Sequence, residues 1–176
     1  IEQGRVGLDD PAEKYLPELV GVKVIESFDR ATGAYQVRPA SRPPTVKHFL
    51  THTSGLAYPF TSEIWRDLKP RAAETYPFGG PLLFDPGERW HYSTSTDVVG
   101  KLVEVVSGQK LEDYFRQHIF APLKMDDTSY NVPEAKGSRL VAQQQRGGAR
   151  MDGAVELQKP QPGLPIASPT GGGAPA

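Results

Sequence analysis

The chain has 176 residues, 38% of them hydrophobic and 23% charged, with 20 basic against 21 acidic side chains and a net charge of -1. That is length enough for one domain with a sizeable core, and so even a balance excludes the electrostatic footprint of a nucleic-acid or anionic-membrane binder. No apolar run approaches the length of a bilayer span, and the absence of cysteine excludes disulfides, cysteine nucleophiles and thiolate metal sites while leaving the compartment open.

Ile1-Glu2-Gln3-Gly4 reads as the last turn of a helix with a glycine stop, so the chain is expected to be cut from something longer. Asp9-Asp10-Pro11 predicts a helix start, an acidic cap followed by proline at the first helical position, with Pro17 keeping that helix short. VKVIESF and AYQVRPA flank Asp29-Arg30-Ala31-Thr32-Gly33, the pattern of a hairpin whose turn needs Gly33 at positive φ. Thr45 is placed to cap a short helix through VKHFLTH, ending at Ser54-Gly55, and Thr61 or Ser62 to cap another through EIWRDLK, ended by Pro70.

A loop-rich approach through Gly79-Gly80-Pro81 and Asp85-Pro86-Gly87 leads to Tyr92. Behind it comes the clearest helix, with Val98, Val99, Leu102, Val103, Val105 and Val106 at helical spacing and Gly108 as its stop. LEDYFRQHIF predicts a second helix, stopped by Pro122. Beyond Gly137, RLVAQQQR and GAVELQK each suit a short strand. The final PQPGLPIASPTGGGAPA has too little apolar surface to offset its own ordering entropy, and reads as a covering loop or a disordered tail.

Three places invite a chemical reading. His48 and His52, four apart, would share a helix face and form half of a zinc-binding H-E-x-x-H, but Phe49 stands where the essential Glu belongs, so no metal site is expected. Ser54 in HTSGL lacks the glycine two positions earlier that a nucleophile elbow requires. Tyr92 precedes Ser93, Thr94, Ser95 and Thr96 at a helix start. The plain account is a packed tyrosine followed by capping hydroxyls; the sharper one is a catalytic phenol.

GRVGLDDPAEKYLPEL, TVKHFLTHTSGL, FDPGERWHYSTSTDVVGKLVEVVSGQKLEDYF and IFAPLKMDDTSY, in this order, resemble the serine β-lactamase-like hydrolases, the group of class C β-lactamases, D,D-peptidases and related esterases. They match the segment after that family's nucleophile helix, its T-x-x-x-L-L-T-H-T-S-G-L signature, its P-G-x-x-x-x-Y-S segment and its P-L-G-M-x-x-T motif. The Ser95–Gly108 run is most similar to the esterase branch. The resemblance implies an α+β fold of the β-lactamase/transpeptidase type. Residues 1–136 would form the central part, mainly the helical subdomain with a hairpin and a few short strands, and 137–176 a loop-rich continuation.

The resemblance further implies that Tyr92 is the general base. A phenol of pKa near 10 becomes a base at neutral pH when nearby ammonium groups favour the phenolate, at roughly 3–4 kcal/mol of differential stabilisation. Thr94 stands where the family's substrate-binding Asn would be, offering a hydroxyl in place of an amide, which turns the expectation from lactam or peptide towards a simpler ester. Tyr58 would line the entrance of the acyl pocket. Lys124 replaces the usual glycine of P-L-G-M, with an effect expected to stay within a turn.

The family's nucleophilic S-x-x-K lies upstream of the segment matching Gly4 to Leu19, so the chain is expected to lack both it and the K-T-G-like strand, and to be inert and poorly cooperative alone. The expected parent is a serine carboxylesterase acting on short-chain acyl esters through an acyl-enzyme, without metal or organic cofactor. The alternatives are a β-lactamase or D-amino-acid peptidase, with a small-molecule ester or amide as partner, or a non-catalytic binding homologue. The chain leaves oligomeric state open; the esterase branch favours the cytoplasm over the periplasm.

Overall fold

A computed structural model describes residues 1–69, 74–139, 144–145 and 156–157. Contacts divide the chain into two units, one built on Ile1–Tyr114 and the other on Phe115–Ser168. The first holds β1 (Lys23–Phe28), β2 (Tyr35–Pro39), α1 (Val46–Leu50), α2 (Glu63–Asp67) and α3 (Ser95–Ser107). α4 (Leu111–Phe115) carries the chain across the division. The fold is α+β.

β1 and β2 pair antiparallel, Lys23 opposite Pro39 and Phe28 opposite Tyr35, with a bulge between Ile25 and Ser27. Their turn is built by Asp29, whose carboxylate accepts from Ala31 N at 2.9 Å and Thr32 Oγ1 at 2.7 Å. Gly33 supplies the left-handed step at φ +73. Leu82 adds itself to the other edge of β1: its N–H donates to Lys23 O and its carbonyl accepts from Ile25 N, both at 2.8 Å.

Thr45 caps α1 as expected, and the box is closed by a histidine: Thr45 N donates to His48 Nδ1 at 3.1 Å while Thr45 Oγ1 accepts from His48 N. The helix then ends at Leu50, earlier than Ser54-Gly55, because His52 turns left-handed at φ +53. His48 and His52 therefore do not share a helical face. Ser62 caps α2 by accepting from Trp65 N, and the Trp65 indole donates to Pro81 O at 2.8 Å. Leu16, Leu19, Val24, Phe49, Leu82 and Val98 are buried beneath these elements, each full burial contributing about 1.5–3 kcal/mol.

The expected helix after Asp10 is shorter still. Pro11 is extended and only Ala12–Lys14 make a 3-10 turn, while the Asp10 carboxylate accepts from Gly7 N and from the Tyr15 hydroxyl instead of capping. α3 ends on Gly108 at φ +70, whose N–H returns to Glu104 O.

In the second unit the segment expected to continue as one α-helix widens into a π turn over Arg116–Phe120. Phe115 stacks on Tyr130 with centroids 6.3 Å apart, and Asp127 meets Lys136 at 2.9 Å and Arg139 at 2.6 Å. Two short strands, β3 (Gln144–Gln145) and β4 (Glu156–Leu157), pair antiparallel, within the two segments expected to hold strands. The final PQPGLPIASPTGGGAPA lies outside the described residues. Among the described residues no helix is long and apolar enough to cross a membrane.

Candidate functional site

The site is a corner where residues 85–94 run beside residues 52–57. Gly87 N donates to Thr53 O at 2.8 Å, His91 N to His52 O at 2.9 Å and Thr94 N to Ala57 O at 3.4 Å. The approach is anchored by Asp85, 5% exposed, which accepts both guanidinium nitrogens of Arg38, at 2.6 and 3.2 Å, and Ser41 N at 2.7 Å. Gly55 makes the close passage possible. It lies at φ +92, and a Cβ there would fall 2.5 Å from the Phe84 carbonyl oxygen.

Thr61 ties the corner from outside. Its hydroxyl accepts from Tyr58 N at 3.0 Å and lies 3.2 Å from both the Tyr92 carbonyl and His91 Nε2. A threonine hydroxyl has a single proton to give. With that proton on a carbonyl, His91 must donate from Nε2.

Tyr92 stands 47% exposed on this corner. Its ring lies 4.9 Å from the His52 ring and 5.6 Å from the Tyr58 ring. Tyr58 stacks in turn on Phe60 at 4.8 Å, and Trp90 meets His52 edge-on at 6.3 Å. Phe60 and Trp90 are among the most exposed large apolar side chains, so the corner presents an open aromatic strip.

Beneath the strip lies a buried row of hydroxyls. Ser54 Oγ is 2.8 Å from Ser95 Oγ, Ser95 Oγ is 2.7 Å from Ser93 Oγ, and Ser93 Oγ reaches His52 Nδ1 at 3.5 Å. All three serines are at most 1% exposed. Thr94 is the N-cap residue of α3 but makes no side-chain cap, its hydroxyl donating instead to Phe78 O at 3.4 Å.

Burial pushes the Tyr58 phenol up, and the Asp97 carboxylate, 3.4 Å from its hydroxyl, adds to the rise. Burial likewise raises Asp97 and lowers His91, the latter with help from Arg89. Arg38 beside Asp85 holds that carboxyl well below the usual carboxylate range.

Of the residues singled out in the sequence, Tyr92 and Tyr58 come together as neighbouring rings, while the Thr94 hydroxyl is turned to the Phe78 carbonyl. Ser54 is fully buried and bonded to Ser95 and is not presented on the corner beside Tyr92. His48 Nδ1 is used by the cap of α1, and among the described residues no cluster of three His, Asp or Glu is placed to hold a metal.

The expectation that the S-x-x-K spacing is missing is corrected at one place. Ser107 has Lys110 three residues on. That pair sits at the end of α3, where Ser107 Oγ reaches Glu104 O at 3.5 Å and accepts from Gln109 N at 3.2 Å, and the left-handed Gly108 separates it from Lys110. It is a helix stop. Thr61, Trp90 and Asp97 are not legible in the sequence as site residues, and His52 is legible there only as half of a zinc motif; the H-T-S-G-L and Y-S signatures mark their neighbourhood.

The beta-lactamase family model matches residues 1–174. The acyltransferase mokF of Monascus pilosus is 37% identical over 142 residues, 76% of this chain and 34% of its own length. The lovastatin esterase of Penicillium rubens is 34% identical over 140 residues, 74% of this chain and 35% of its own. The chain thus spans about a third of the curated relatives it matches. Among solved structures, a mutant simvastatin synthase from Aspergillus terreus superposes with a TM-score of 0.77 at 34% identity, over 89% of this chain and 38% of that one. A penicillin-binding protein homologue from Pyrococcus abyssi, at 24% identity and a TM-score of 0.55, shares the fold. With the match to the family model running through the corner that carries Tyr92, this chain belongs to the beta-lactamase family.

Proposed function

We propose that the full-length protein is a serine hydrolase working through an acyl-enzyme, a carboxylesterase on short-chain acyl esters, with Tyr92 as general base and the nucleophile outside these 176 residues. The serine oxygen adds to the ester carbonyl as its proton passes to the Tyr92 phenolate. Tyr92 returns that proton to the departing alcohol, and water then attacks the acyl-enzyme by the same route, releasing the acid and regenerating the serine. An alcohol taking the place of water would give acyl transfer, the activity named for mokF.

The observation that carries the reading is the setting of Tyr92: a family-motif phenol standing on the rim of an aromatic strip, Tyr58, Phe60 and Trp90, that suits an acyl chain. Thr94 supports an ester over an amide, because its single hydroxyl proton is directed to Phe78 O and is not offered outward.

The test is the full-length gene product treated with an alkyl fluorophosphonate and followed by intact mass and by hydrolysis of a short-chain p-nitrophenyl ester. One phosphonyl adduct with loss of ester turnover is expected. A preference for nitrocefin would move the reading to a β-lactamase, and absence of both adduct and turnover would leave a binding homologue.

A further inference from the structure

Beyond the one bond that Ser93 Oγ accepts from Ser95 N at the start of α3, helix capping does not explain how the buried serines are arranged, and their protons can be counted. Ser54 Oγ accepts from Leu56 N at 3.3 Å, and Ser93 Oγ accepts from Ser95 N at 3.3 Å. If Ser54 donates to Ser95, Ser95 to Ser93 and Ser93 to His52 Nδ1, every hydroxyl proton in the row has an acceptor. In the reverse direction the Ser54 proton, inside a fully buried residue, would have no acceptor among the described residues, at the cost of a lost hydrogen bond.

The row therefore runs one way, and it ends on His52 Nδ1 as an acceptor. His52 itself is held in an unusual backbone state, φ +53, with its carbonyl accepting from His91 N at 2.9 Å. Its ring centroid lies 4.9 Å from that of Tyr92 and 6.3 Å from that of Trp90.

We propose that His52 is a positioning residue for Tyr92: the Ser54–Ser95–Ser93 row fixes the tautomer and rotation of its imidazole, and the imidazole forms the wall that sets the Tyr92 ring. The inference rests on the reading of Tyr92 as general base. Among the described residues the His52 side chain meets Ser93, Tyr92 and Trp90, and in this proposal it acts through the Tyr92 ring beside it. A general base displaced by a fraction of an ångström loses rate and leaves binding largely intact.

The test uses the full-length gene product labelled with 15N-histidine and 13C-tyrosine. Long-range 15N–1H spectra are expected to show His52 protonated on Nε2 and bare on Nδ1. Ser93→Ala is expected to abolish that single tautomer and to shift the Tyr92 ring signals. His52→Asn, in which asparagine tolerates the left-handed backbone and keeps an acceptor for Ser93, removes only the wall. It is expected to lower kcat on a short-chain ester about tenfold with KM changed less than about twofold.

A protonated Nδ1 in the unmodified protein would overturn the proposal. So would unmoved Tyr92 signals in Ser93→Ala, or an unchanged kcat in a folded His52→Asn. If the unmodified protein turns over neither ester nor nitrocefin, the reading of Tyr92 as base fails separately, and the tautomer with the Ser93→Ala ring shift still decides whether the row sets Tyr92.

Discussion

In the unit built on Ile1–Tyr114, Phe49, Leu16, Val24, Leu82 and Val98 are drawn from distant parts of the sequence and buried together, whereas none of residues 115–139 is buried. The second stretch is organised by ring stacking of Phe115 on Tyr130 and by the exposed pairs of Asp127 with Lys136 and Arg139. Exposed pairs of that kind add little to stability. The contrast locates the determinants of the Tyr92 corner: it is fixed by packing and buried hydrogen bonds between segments far apart in the chain. Substitutions in the first unit should cost far more than those in the second.

The largest expected effect is at Gly55. Gly55→Ala places a methyl 2.5 Å from the Phe84 carbonyl at φ +92, and a loss of about 3 kcal/mol in urea unfolding of the full-length protein is expected. A loss below about 1 kcal/mol would mean that residues 52–57 and 82–94 separate easily, and the contrast between the units would collapse.

Next is Asp85→Asn, which leaves the Arg38 guanidinium facing a neutral amide. Because Arg38 is 40% exposed, the expected loss is moderated to about 2 kcal/mol.

The stability of the first unit should also depend on pH. His48 and His91, both in the first unit, are held below the ordinary imidazole value of 6.5 by burial, His48 also by Arg42 and Lys47. The unfolded chain then takes up protons before the folded one. Stability should be level above neutrality and fall as pH drops below 6.5 towards the folded values. Asp85, depressed when folded, adds its own loss only on further acidification, below the ordinary carboxylate value of 3.8. A midpoint flat from pH 7 to 5 would contradict the burial of the two imidazoles.

The smallest effect has the opposite sign and lies in the second unit. Lys124 adopts φ +54, a state that costs a lysine and suits a glycine. Lys124→Gly should raise stability by up to about 1 kcal/mol. A decrease would show that the lysine side chain does more there than occupy a turn.

These elements also mark what was legible in the sequence. The β1–β2 hairpin, the caps at Thr45 and Ser62 and the stop at Gly108 were readable because each is decided within a few residues by turn and capping chemistry. Arg38 with Asp85, and Leu82 beside Val24, depend on pairings about fifty residues apart that no local pattern announces. Locally the hydroxyls after Tyr92 suit a capping run, and Ser93 Oγ does accept from Ser95 N. The hydroxyl protons of Ser93 and Ser95 belong to a row that also includes Ser54, a use that becomes visible only when two distant serine segments are brought within 2.8 Å. The same holds for His52, whose left-handed backbone takes it off the helix that its spacing from His48 implied.

The most direct measurement is the kinetics of Tyr92→Phe in the full-length gene product on a short-chain p-nitrophenyl ester, with fluorophosphonate labelling followed in parallel. If Tyr92 is the general base, kcat should fall by about a hundredfold or more and labelling should slow with it, while KM changes little. Turnover within about twofold of the unmodified protein would contradict the assignment, and the proton would have to be carried by another group.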